Sequence, residues 1–252
     1  MASGFCHFTA RSQDFGAPLR LNDLERVKWQ AMARFAKISA GLSAGLLALG
    51  LVLILSVTLP AQSRPFDYYV LSLSWAPEFC AQPGEAAANP RECPAGRGLG
   101  FVVHGLWPEA SSGKSPESCG PSKTVSKGLI NQVLPYMPSP GLIQHEWATH
   151  GTCTGFTADE YFTKILLARA AVQIPVQLSA ITGTETESPN QIEEQFAAAN
   201  PAFPKGAFRT SCRGNAFTET RTCFDKDLKS RACTASVGEC ASPTVTIRPP
   251  RY

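Results

Sequence analysis

Eight cysteines run from Cys80 to Cys240: Cys80, Cys93, Cys119, Cys153, Cys212, Cys223, Cys233 and Cys240. No two of them form a C-x-x-C pair, the spacing a zinc ribbon or a thioredoxin-type redox motif requires. An even set without that spacing reads as four disulfides, and disulfides persist only in an oxidising compartment. A ninth cysteine, Cys6, lies upstream of Met32 and is expected to be absent from a mature chain.

The segment ahead of the cysteines supports export. "ISAGLSAGLLALGLVLILSVTLPAQS" (residues 38–63) carries no charge, Arg34 and Lys37 precede it, and "AQS" supplies small residues for cleavage. A start at Met32 gives a short basic leader followed by this apolar core. The expected organisation is therefore an over-extended leader (1–31), a signal peptide or membrane anchor (32–63) and one domain (64–252). Cleavage is favoured over anchoring, although Ile38–Leu59 is long enough to span a bilayer. Removing the six basic and three acidic residues of 1–63 from totals of 23 and 20 leaves 17 of each sign in the body. A polyanion would have to be held by a local site, because the overall field is neutral. No N-x-[ST] sequon occurs, which suits a bacterial exported protein.

Periodicity outlines an α+β domain. "DYYVLSLSW" (67–75) alternates as a half-buried strand, and "GLGFVVHGLW" (98–107) is a second β-type run stopped by Pro108. Residues 76–97 between them read as a Pro-, Ala- and Gly-rich loop. Helices are expected from Gly128 to a break near Pro135, over 142–150, over 157–173 and over 188–200. The last two open with capping boxes, Thr157 with Glu160 and Ser188 with Gln191. Strand-like pieces return at "FRTSC" (208–212) and "TETRTCF" (218–224). Strands at both ends with helices between predict a central antiparallel sheet flanked by helices.

The histidines are concentrated. Beyond His7, the chain has only His104, in the second strand, and His145 and His150, in "HEWATHGTC" (145–153). Histidine titrates near neutrality, so such economy points to a site. A metal reading fits poorly. A zincin needs H-E-x-x-H, whereas this pair stands at i and i+5 as H-E-x-x-x-H, placing the rings about 140° apart on a helix. Glu146 and His150 stand at i and i+4 and can face one cleft, where a carboxylate would raise and orient the imidazole. What remains is two-histidine acid–base chemistry, suited to an ester whose nucleophile belongs to the substrate, as the 2′-hydroxyl of RNA does.

Two stretches carry a resemblance. "FVVHGLWPE" (101–109) and "HEWATHGTC" resemble the two catalytic signatures of the ribonuclease T2 family, and nearly all of residues 66–240 is similar to it. The resemblance implies a disulfide-stabilised ribonuclease T2-like fold and metal-independent cleavage of single-stranded RNA to 2′,3′-cyclic phosphates, with no cofactor. It implies His150 as general base, His104 as general acid, and His145 and Glu146 as groups that contact or polarise the phosphate. It places Trp107 and Glu109 at the base-binding site, where a ring can stack on any base. It favours the pairs Cys80–Cys93, Cys119–Cys153, Cys212–Cys240 and Cys223–Cys233. It also implies an exported monomer, periplasmic or secreted. One position departs: Thr149 stands where the family usually has lysine. A hydroxyl offers a neutral hydrogen bond where an ammonium would meet developing negative charge. Lys114, Lys123 and Lys127 are candidate substitutes. The alternative is thus a weakened relative that binds RNA or a partner, and a three-histidine metallohydrolase is a third reading.

Overall fold

The computed structural model describes residues 65–94, 98–238 and 240–250. The expected leader and signal or anchor, residues 1–63, lie outside the described residues.

One seven-stranded sheet organises the domain. Its central path runs β2 (Phe101–Glu109), β1 (Tyr68–Trp75), β5 (Ala216–Phe224), β7 (Val245–Ile247), β3 (Glu185–Glu187). β4 (Phe208–Arg213) and β6 (Ser230–Arg231) also pair with β5. The long pairings are antiparallel, as the sequence predicts. The sheet is nonetheless mixed, because β7 meets β5 in parallel at Ala216 and Thr246. A three-residue strand after the last cysteine leaves no periodicity from which its direction can be read.

β1 is buried on both faces rather than one. Tyr69, Leu71, Leu73 and Trp75 enter the main core, and Ser72 on the opposite face is equally enclosed. A smaller apolar cluster of Tyr68, Val70, Cys223 and Val237 covers part of that second face. Alternation of serine with leucine therefore marks two kinds of interior here, one apolar and one polar.

The helices pack where capping and apolar spacing place them. α3 (Lys127–Val133) is capped by Ser126 and α4 (Pro140–Thr149) by Ser139, with Pro140 in its first turn. α5 (Ala158–Ala171) and α7 (Pro189–Ala199) both form the expected capping boxes. Between α5 and α7 lies the short α6 (Val176–Ser179). α5 sends Tyr161, Phe162, Ile165 and Ala168 into the core, α7 sends Ile192 and Phe196, and α4 sends Ile143 and Trp147. Each fully buried large side chain contributes about 1.5–3 kcal/mol against exposure. The buried Tyr161 hydroxyl donates to the Leu106 carbonyl at 3.0 Å, tying α5 to β2.

The segment expected to be loop holds two short helices, α1 (Ala76–Cys80) and α2 (Glu85–Ala88). Pro77 in the first turn of α1 and the alanines of α2 favour single helical turns too short to show a period. Four disulfides close the domain: Cys80–Cys93, Cys119–Cys153, Cys212–Cys240 and Cys223–Cys233. The second closes a span of 34 residues and clamps the chain just beyond α4. Loop closure on that scale restricts the unfolded chain by about 3–4 kcal/mol.

Candidate active site

Two interruptions in strand pairing create the site. On β1–β2, Ser72 pairs with Gly105 and Leu73 with Val103, leaving His104 as an extra, unpaired residue. Strict alternation would send His104 and Trp107 to opposite faces. The bulge changes that parity: Val103 and Leu106 both enter the core, while the rings of His104 and Trp107 lie 5.2 Å apart, edge to face. β5 repeats the device. Ser211 pairs with Glu219 and Cys212 with Phe217, so Thr218 is the extra residue. Phe217 remains in the core and Glu219 reaches His104.

His104 has a carboxylate near each ring nitrogen. Its Nδ1 lies 2.6 Å from Glu219 Oε1, and its Nε2 lies 3.7 Å from Glu146 Oε1. Burial alone would lower its pKa, but the hydrogen bond to Glu219 and the charges of Glu219 and Glu146 outweigh this and raise it. Burial pushes Glu219 up, yet the bond from His104 and the His104 and Arg221 charges bring it down to about 2.

α4 delivers the other half. Glu146 is 1% exposed, and its Oε2 accepts from Trp107 Nε1 at 2.9 Å. Gly105 makes that approach possible, since a Cβ there would collide with the Glu146 carboxylate and the Trp107 ring nitrogen. Burial raises the Glu146 carboxyl to about 7, against the opposing influence of the His104 charge and the Trp107 bond. The expected Glu146–His150 pairing does not form. Because β2 has no side chain at Gly105, the carboxylate inserts against that strand and serves Trp107 and His104 instead. His150 caps α4, its ring 5.6 Å from Trp107 and its Nδ1 buried without a hydrogen-bond partner. Burial first, then the charges of His145 and His104, lower His150 to about 4.

Trp107 thus touches both histidines and Glu146, and Arg221 lies over its ring at 5.0 Å. The ring expected to stack on a base is largely enclosed by its neighbours. Glu109 accepts from the Ser115 hydroxyl and lines a cavity of about 210 Å³ with Val70, Trp107, Arg221 and Val237. Burial raises its pKa against the Ser115 bond and the Arg221 charge. His145 is exposed on α4, next to Glu146 but outside this cluster of contacts. Thr149 ends α4, and its carbonyl accepts from Ser118 N at 2.7 Å. Lys114 pairs with Glu117 at the surface, and Lys123 and Lys127 are exposed. Among the described residues, no group of three or more His, Cys, Asp or Glu side chains is arranged to hold a metal ion.

Sequence reasoning missed Glu219 and Arg221. Their signal was present in "TETRTC", where an acid and a base two residues apart share one strand face. The bulge at Thr218 decides which face.

With this geometry in place, the comparisons identify the class. Residues 66–233 match the Ribonuclease T2 family, and the chain belongs to it. A Haemophilus influenzae protein named "Probable ribonuclease" is 31% identical over 180 residues, 67% of this chain and 61% of its own length. A ribonuclease of Aeromonas hydrophila is 33% identical over 135 residues, 53% of this chain and 59% of its own. This chain spans about three fifths of the length of both. The solved structure of an RNase-related protein from Calystegia sepium shares the fold, with a TM-score of 0.59 and 23% identity over 73% of this chain and 98% of that one.

Proposed function

We propose that this chain is an endoribonuclease that cuts single-stranded RNA by transphosphorylation, with His150 as base and His104 as acid. The observation that carries this reading is the opposite tuning of two histidines on one tryptophan. His104 is held toward its charged form, and His150, lowered to about 4, is neutral at pH 7. Environments that push two titratable groups apart assign acid and base between them.

In the reaction, His150 takes the proton of the 2′-hydroxyl as that oxygen attacks phosphorus. The bond from phosphorus to the 5′-oxygen breaks, and His104 gives that oxygen a proton. The products are a 2′,3′-cyclic phosphate and a free 5′-hydroxyl. Glu146, raised to about 7, carries a proton in a large fraction of molecules at neutrality and can donate to a phosphoryl oxygen rather than repel it. His145, exposed beside Glu146, would meet the phosphate from the solvent side. Trp107 and Glu109 border the cavity that would take a base. Four disulfides support export to an oxidising compartment, periplasmic or extracellular, where a monomer would act without cofactor.

The test is digestion of single-stranded RNA in the presence of chelator. Cyclic-phosphate ends, abolished in His150→Ala and His104→Ala, are expected; undiminished cleavage by either variant would refute the scheme. Thr149 favours a second reading, a weakened enzyme that retains RNA binding. Binding without cleavage, with cleavage gained in Thr149→Lys, would support it.

A further inference from the structure

Glu219 lies 115 residues beyond His104 in sequence and has no part in the scheme above, yet it makes the shortest polar contact of the acid. Its carboxylate is held from three directions. Oε1 meets His104 Nδ1 and accepts from Ser74 Oγ at 3.2 Å, and Oε2 accepts from Arg221 Nε and Nη2 at 3.1 and 3.0 Å. An ionised carboxylate can only accept, so the proton in the contact with His104 belongs to Nδ1. Nε2 is then the nitrogen left to exchange a proton with substrate.

We propose that Glu219 is a positioning residue for the cleavage reaction, fixing the ring orientation and the Nδ1–H form of His104 so that Nε2 faces the leaving oxygen. The inference rests on the reading of His104 as general acid. As Nε2 passes its proton to the 5′-oxygen, the ring becomes the neutral Nδ1–H form, still bonded to Glu219, and no second proton moves. Charged groups face His104 from every side: Glu219 and Arg221 from β5, Glu146 and the nearby His150 from α4, and Glu92 from the segment after α2. Glu219 is the one in direct hydrogen-bond contact, and its bond and charge are the main influences raising the imidazole against burial. The bond and charge of His104, and then the charge of Arg221, keep Glu219 ionised, while Arg221 opposes the charge on His104.

The test is a pH profile of RNA cleavage for Glu219→Gln, alone and combined with His104→Ala. The amide keeps the shape and an acceptor but loses the charge. An opposite charge at this distance moves a pKa by about 1–3 units. The alkaline limb should therefore move down by at least about one unit, with kcat lowered about 10- to 100-fold at neutral pH and KM within about twofold. In the His104→Ala background, Glu219→Gln should cost nothing more. A wild-type profile for Glu219→Gln, or an equal further loss in that background, overturns the positioning role. If Glu219→Gln does not fold, nitrogen chemical shifts of His104 in the unmutated protein decide the matter. Retention of the Nδ1 proton at high pH supports the inference, and its loss overturns it. Full activity in His104→Ala alone would instead overturn the acid–base reading, and the positioning role with it.

Discussion

His104 and His150 flank the same tryptophan and share little else. His104 projects from a sheet bulge, with carboxylates near both ring nitrogens. His150 ends a helix and, among the described residues, has no carboxylate partner and a buried, unpaired Nδ1. Partnering raises the first and desolvation lowers the second. In the proposed scheme one residue type would supply both an acid and a base, because one side of the site furnishes charge and the other withholds it.

Removing either histidine should give the largest effect. His104→Ala and His150→Ala are each expected to lower kcat about 10³-fold in an RNA cleavage assay, since positioned acid–base groups contribute about 10²–10⁴. A variant that loses less than tenfold would break the assignment of its side. Next comes the clamp on the helical side. Replacing Cys119 and Cys153 by serine should destabilise the domain by about 3–4 kcal/mol, measured by denaturant unfolding. Activity should fall even where the variant remains folded, because His150 lies between α4 and that bridge.

The pH dependence of stability sharpens the comparison further. The folded pKa of Glu146, about 7, lies above its ordinary 4.5. Its contribution is complete below pH 4.5 and is lost as pH rises through about 7. The linkage amounts to about 3 kcal/mol. Glu219, at about 2, and His150, at about 4, act in the other direction. Stability from Glu219 is present above its ordinary 4.5 and lost as pH falls through 2. That from His150 is present above 6.5 and lost as pH falls toward 4. Thermal unfolding of Glu146→Gln should show a smaller loss of stability than the unmutated protein as pH rises from 4.5 through about 7, the raised His104 and Glu109 accounting for the loss that remains; identical curves would refute the assignment. Thr149→Lys should raise kcat by up to about 10²-fold if an ammonium reaches the developing phosphorane charge. An unchanged rate would mean that the site already meets that charge. The smallest expected effect is the shape of the activity profile itself, with an acidic limb near pH 4 from His150 and an alkaline limb above the ordinary histidine range from His104.

Much of the helical side could be read directly in the chain. The capping boxes at Thr157 and Ser188 marked two helices, α5 and α7. The strand side was only half legible. His104 and Trp107 could be named, but their common face depends on one extra residue in β2. Glu219 and Arg221 lay in a predicted strand, and their shared face was legible, but nothing in the sequence said that this face meets His104. Alternation reveals that two residues share a face, while a bulge determines which face, and bulges leave little local signature. The Glu146 partnership failed for a related reason. Helical spacing placed Glu146 near His150, but the space opened by Gly105 on strand β2 drew the carboxylate away.

The bulge at His104 gives this strand something like a reading frame. A substitution along β2 leaves the alternation of its neighbours intact, whereas deleting a single residue at 103–105 would restore strict alternation. The histidine or the tryptophan would then be turned toward the apolar interior, with an apolar neighbour facing the cleft. Outside His104, Gly105 and Trp107, the site should therefore tolerate exchanges of residue type along β2 far better than any change in its length.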